Sequence, residues 1–192
     1  FGQKFITRRI DGYVLLSDLL TQKYKEVCKK PSVAIYPIFY PVFNTFELPK
    51  KKDEVWILIP GAVSLARRDY LSLLPSGVKY APHIKFIILG NKNKADGKEI
   101  CEKVYQANMK DNFLFFEGFV PENEFYSYVL QCDYIMPLIH PGCGEYAKYV
   151  TEKISGTYNL AIAYRKIMLC PDEMRIYEDF RDSAMFYSLK EL

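Results

Sequence analysis

Apolar runs recur along this chain, separated by polar stretches that carry glycine or proline. From residue 54 onward the runs are short: 55–59 (VWILI), 84–89, 113–116 (FLFF), 133–139, 167–170 and 184–187. A brief, continuous apolar run suits a strand buried on both faces. Helical stretches lie between them. Residues 98–108 alternate with amphipathic spacing, Pro121 opens 122–131 at the position proline favours, and 158–164 is apolar. Shorter helices are expected at 69–74 and 171–181, and 140–151 reads as a long polar loop. Upstream, 10–16 reads as a strand, and Ser17 caps a helix over 18–28 with Asp18 at its positive end. Pro31 stops that helix, and the uncharged run 33–40 is extended, with Pro37 at an edge or exit. Residues 41–53 form a crossing linker ending in Lys50-Lys51-Lys52, a run that usually marks a solvated surface.

Strand and helix thus alternate five or six times after residue 54. This predicts an α/β fold: a doubly wound, Rossmann-like parallel sheet with helices on both faces and right-handed crossovers. The division expected is 1–48, the end of a preceding domain and the crossing, followed by a Rossmann-like domain over 54–192. In such sheets the ligand crevice lies beyond the carboxyl ends of the strands, where the strand order reverses. That selects the loops 60–68, 90–97, 117–121, 140–157 and 170–174.

Composition narrows the classes. With 192 residues the chain holds about one domain and a piece of another, and its opening at Phe1-Gly2 suggests a fragment. A net charge of +3 with mixed signs makes no demand for nucleic acid. Five cysteines, an odd count without framework spacing, fit reduced thiols and a cytoplasmic setting. No run approaches the length of a membrane span, and no signal peptide is visible. The 16 tyrosines and 13 phenylalanines fall mainly at strand and core positions, not on a stacking platform.

Candidate chemistry clusters in the block 151–170. A turn of Lys153, Ser155, Gly156 and Thr157 feeds a helix, and free amides at a helix start attract phosphate. An ordinary loop–helix–strand unit accounts for the same residues. Gly61 gives a backbone that a ligand approaches closely, and Arg67 and Arg68 follow where guanidinium groups hold phosphate oxygens or simply face solvent. The dinucleotide fingerprint and the P-loop pattern are both absent, and VWILIPG lacks the aspartates of a phosphoacceptor. His140, Cys143 and Cys132 match no zinc spacing, so no metal is expected; His140 and Cys143 in one loop also offer a Cys–His nucleophile. Glu145 and Glu152 offer an acid/base pair or plain loop carboxylates, and Asp172 and Glu173 a crevice position or a helix cap.

The order of phrases VWILIPGAVSLARRDYLSLL, IKFIILGN, NFLFFEGFVPENEFYSYVLQCDYIMPL and TEKISGTYNLAIAYRKIMLC resembles the C-terminal half of a GT-B glycosyltransferase, closest to the family 4 type. The resemblance spans about residues 54–182 and rests on the order of the phrases, with Gly118-Phe119-Val120 and Pro137 in the family's places. It implies a transferase that moves a sugar from a nucleotide-diphosphate sugar to a sugar or lipid-linked acceptor, without cofactor or metal. It assigns residues 1–48 to the end of the N-terminal domain, where the acceptor and any catalytic base would reside, so this piece alone is expected to be inactive. Peripheral contact with a membrane surface accords with the family's habit. By position, Gly61 and Arg67 match the residues that meet the diphosphate, with Arg68 a neighbouring candidate. Phe119 and Val120 match the backbone that meets the nucleobase. Ser155, Gly156 and Thr157, beside Lys153, match the phosphate-binding turn. The first glutamate of the family's pair falls on Glu152. The second falls on Leu160, and the usual Gly-x-Pro is replaced by Arg165, Lys166 and Ile167. These departures bear on the identity of the donor and on activity itself. A non-catalytic binding or scaffold subunit is the alternative.

Overall fold

The computed structural model describes residues 9–27, 29–77, 79–94, 96–176 and 181–190. Residues 1–8 of the first expected unit, Cys28, and 177–180 of the last expected helix lie outside them. The order is β1 (Tyr13–Leu15), α1 (Asp18–Val27), β2 (Ser32–Ala34), β3 (Val55–Pro60), β4 (Ile84–Asn91), α2 (Gly97–Gln106), β5 (Phe113–Phe116), α3 (Glu122–Gln131), β6 (Tyr134–Ile135), α4 (Tyr146–Thr151), α5 (Gly156–Ala163), β7 (Ile167–Pro171) and β8 (Ala184–Tyr187). Short 3₁₀ turns lie at Tyr70–Leu73, Lys110–Asn112 and Asp172–Ile176.

Six strands form one all-parallel sheet in the order β5-β4-β3-β6-β7-β8. The chain winds outward from β3 to β5, returns beside β3, and winds outward again to β8. This is the order of a doubly wound, Rossmann-like sheet, and it reverses between β3 and β6. Side chains alternate across the strands, so the sheet feeds two cores. On one face Leu58, Ile87, Ile135 and Met168 pack with Val129 of α3 and Tyr158 and Ala161 of α5. On the other, Ile57, Ile59, Phe86 and Ile88 pack with Ile100 of α2 and with Tyr70 and Leu73 of the first 3₁₀ turn. Leu58 and Ile59 are fully buried. Each contributes about 1.5–3 kcal/mol by leaving water.

β1 and β2 form a separate two-stranded parallel sheet joined by α1. Ser17 caps α1, its Oγ accepting from the Leu20 N–H at 3.3 Å. The expected extended run 33–40 pairs only through Ala34. Pro37, lacking an N–H, falls just beyond the pairing. The chain then crosses to β3 as a strap along α3. Ser127 Oγ accepts from the Phe46 N–H at 3.0 Å. The Gln131 amide takes the Leu48 N–H at 2.9 Å and donates to the Phe46 carbonyl at 2.8 Å. Phe43 stacks on Tyr126, and Tyr40 packs on Tyr164.

Three expectations change. The helix expected at 69–74 is a single 3₁₀ turn, Tyr70–Leu73, held by the Asp69 carboxylate. The strand expected over 133–139 pairs only at Tyr134–Ile135; Pro137 has no N–H to give, and Leu138 turns to φ 54°. The loop expected over 140–151 contains α4, whose Tyr146, Tyr149 and Val150 pack on the core at helical spacing.

Candidate functional site

The carboxyl ends of β3 and β6 meet at the reversal point, and the loops beyond them build the candidate site. Gly61 follows β3 with φ 106°, a conformation that costs a side-chain-bearing residue dearly. Gly90, in β4, lies against it; a Cβ there would come within 2.1 Å of the Gly61 carbonyl oxygen. The β3 loop is tied to the start of α2, where Asp96 Oδ2 accepts from the Leu65 N–H at 2.7 Å.

The two adjacent arginines have different fates. Arg68 is buried, at 9 % exposure. Its Nη1 donates to the Pro137 carbonyl at 2.6 Å. Its Nη2 donates to the Pro60 carbonyl and, at 3.3 Å, to Thr157 Oγ1. One guanidinium thus staples the end of β3, the segment after β6 and the start of α5. Among the described residues it forms no ion pair. A positive charge therefore lies under the crevice, solvated by two backbone carbonyls and one hydroxyl. The Tyr70 hydroxyl has no hydrogen-bond partner among the described residues. Burial pushes it up to about 12 against the opposing pull of Arg68. Arg68 is thus not the outward-facing phosphate hand that the sequence suggests; its donors are spent on carbonyls and a hydroxyl.

Arg67 points the other way, with its side chain half exposed. Its Nε lies 3.7 Å from Glu145 Oε2, and Lys153 Nζ donates to the same oxygen. Lys153 also lies over the Tyr149 ring at 4.2 Å. The hydrogen bond from Lys153, with the fields of Lys153, Arg67 and Lys148, holds the Glu145 carboxyl below the usual carboxylate range. Ser155 caps α5, its Oγ accepting from the Thr157 N–H at 3.3 Å. Gly156 and Thr157 are the first residues of the helix, Gly156 exposed and Thr157 buried against Arg68. The positive end of the α5 dipole thus adjoins the same cluster.

On the opposite side of the β3 terminus opens a cavity of about 410 Å³. Gly61, Gly90, Phe119, Val120, Phe125 and Tyr126 line it, with Lys94 and Glu122 as its charged members. Val120 is buried in the core, while Phe119 stands 85 % exposed. The structure therefore brings Gly61, Phe119 and Val120 together on one side. It brings Arg67, Lys153, Ser155, Gly156 and Thr157 together on the other, with Arg68 beneath. Glu152 does not join them. It is exposed at the far end of α4 from Glu145, so the two glutamates do not face each other as an acid/base pair. Leu160 packs its side chain against the core.

His140 has a role the sequence did not disclose. It is fully buried, with Nδ1 3.0 Å from Asp69 Oδ2 and Nε2 2.6 Å from the Tyr187 hydroxyl. This bridge ties the loop after β6 to the 3₁₀ cap and to β8. Burial raises the Tyr187 hydroxyl far above its ordinary range. Cys143 contacts the Leu138 carbonyl at 3.9 Å, and burial pushes its thiol up, so no Cys–His nucleophile is assembled. Asp172 pairs locally with Arg175 at 2.8 Å. Among the described residues no group of three or more His, Cys, Asp or Glu side chains is placed to hold a metal ion, and no helix is long and apolar enough to cross a membrane. Compared with known proteins, the chain matches no family model, no curated protein and no solved structure.

Proposed function

We propose that this chain binds a nucleotide-diphosphate sugar and forms the donor half of a GT-B-type glycosyltransferase. One observation carries the reading: an apolar, aromatic-rimmed cavity and a cluster of cations lie on opposite sides of the same strand end, at the reversal point of the sheet. A nucleobase is planar and largely apolar on its faces, and the cavity with Phe119 at its rim suits it. A diphosphate needs cations and oriented amides, and Arg67, Lys153 and the start of α5 supply them. Arg68 does not reach out to the ligand. It fixes the frame and keeps a positive charge beneath the phosphates. In transfer the bond between the sugar's anomeric carbon and the diphosphate oxygen breaks, and negative charge builds on that oxygen. The cations stabilise the departing group, and this is the chain's catalytic contribution. The acceptor and any base belong to the preceding domain, of which residues 1–48 are the end, and the chain by itself does not turn over.

The Leu160 packing favours a second reading, a non-catalytic binding or scaffold subunit. An apolar side chain turned into the core holds no ribose at that position. Calorimetric titration with UDP, GDP and ADP, without metal, separates the two. The donor reading expects saturable binding of one nucleotide, weakened about tenfold by Arg67→Ala. Absence of binding to all three, from folded protein, favours the scaffold.

A further inference from the structure

The cation cluster at the crevice mouth is already occupied. The Glu145 carboxylate is shared through one oxygen between Arg67 and Lys153. Its backbone is pinned as well, since the Glu145 N–H donates to the Ala66 carbonyl at 2.9 Å. The side chain is thus delivered to the two cations from a fixed point beside the β3 loop. Arg67 comes from the loop after β3 and Lys153 from the segment before α5, so the glutamate closes the gap between the two walls of the mouth. An incoming phosphate needs the same N–H groups, and its charge repels the carboxylate at contact distance.

We infer that Glu145 is a resident anion that competes with the ligand's diphosphate for Arg67 and Lys153, and that it must swing out for the ligand to seat. This rests on the donor-binding reading above and adds a regulating residue to it. Glu145 sets a threshold against singly charged anions, which cannot displace a carboxylate held by two cations, whereas a diphosphate with several charges can. Swinging out leaves Arg67 and Lys153 to the ligand and turns the carboxylate toward water, where it is well solvated. Its side chain is already about one quarter exposed, with relative accessibility 24 %, so the path is short.

The test is calorimetric binding of inorganic pyrophosphate, and of the preferred nucleoside diphosphate, to the parent protein, Glu145→Gln, and Glu145→Gln with Lys153→Gln. Thermal unfolding verifies that each variant is folded. Glutamine keeps the shape and removes the charge. Glu145→Gln should bind pyrophosphate about five- to tenfold more tightly, with a steeper dependence on salt. Adding Lys153→Gln should abolish that gain. Binding by the parent that Glu145→Gln leaves unchanged or weakens would overturn the inference and spare the donor reading. A gain that survives Lys153→Gln would show that Lys153 is not contested and would likewise overturn it. Pyrophosphate and nucleotide binding absent from all three proteins would overturn both. Binding that appears only in Glu145→Gln supports the inference in its strongest form, a mouth closed until the carboxylate leaves.

Discussion

Arg67 and Arg68 are consecutive in sequence and sit in opposite environments. Arg68 is buried and spends its donors on the Pro60 and Pro137 carbonyls and the Thr157 hydroxyl. Arg67 is half exposed and shares a carboxylate with Lys153. The difference follows from the backbone. Both N–H groups bond to the Ser64 carbonyl, which winds the segment into a helical turn where successive side chains diverge by about 100°. One side is the interior beneath the reversal point and the other is its mouth. The same residue type thus frames the site on one side and remains available to a ligand on the other.

The largest test of this contrast is stability. Arg68→Ala leaves two carbonyls and a hydroxyl without their donor in a buried place and should cost about 3–5 kcal/mol. Arg67→Ala removes a half-exposed pair and should stay within about 0.5 kcal/mol. Urea denaturation of the two variants checks this, and equal losses would erase the distinction. The next effect concerns the cavity side of the mouth. Gly90→Ala forces a methyl group against the Gly61 carbonyl and should cost about 1–3 kcal/mol while pushing the two strand ends apart. A neutral outcome, read in the same denaturation assay, would mean that the β3 and β4 loops are looser than their packing implies.

The smallest effect, per thiol and per pH unit, asks how dry the interior is. Burial pushes the Cys132 and Cys170 thiols from 9.0 up to about 12. Raised folded values mean that the unfolded chain releases these protons first as pH rises. Their contribution is therefore whole below the unfolded value and is lost between about pH 9 and 12, by about 1.4 kcal/mol per thiol per pH unit. Unfolding free energies at pH 8, 9 and 10 should show this fall. Cys132→Ala with Cys170→Ala should flatten it, and an unchanged slope would point to other groups.

How far the sequence discloses these features depends on whether the signal is local. β5 is found at its expected residues because FLFF is bounded by turn residues on both sides, and α3 because Pro121 marks its start. β6 is overrun because an apolar run continues past its pairing; only Pro137 hints at the break, and Leu138's positive φ has no sequence mark. α4 hides behind Gly142 and Gly144, although its aromatic spacing is helical. Gly61, Phe119 and Val120 line one cavity although Gly61 lies 58 or more residues from the other two in sequence, because the loops beyond β3 and β5 meet there. The burial of Arg68 is not legible, since nothing local separates it from Arg67; its partners lie up to 89 residues away. The His140 bridge escapes for the same reason, its partners Asp69 and Tyr187 lying 71 and 47 residues off.

The strap before β3 has a mechanical consequence. Ser127 and Gln131 grip the main chain of Phe46 and Leu48, and the Tyr164 hydroxyl holds the Pro41 carbonyl at 3.0 Å. At the other end, the Ile35 N–H is bonded to the Leu15 carbonyl and the Tyr36 hydroxyl to Asp18. Between these anchors Pro37, Ile38, Phe39 and Tyr40 span from one sheet to the other, a reach of about 14 Å when extended. The joint therefore behaves like a short leash. It does not let the two sheets part, and α1 also lies against α4 of the larger unit. The grip is on backbone atoms, and side chains reinforce it where Phe43 stacks on Tyr126, Tyr40 packs on Tyr164 and Leu48 is buried in the core.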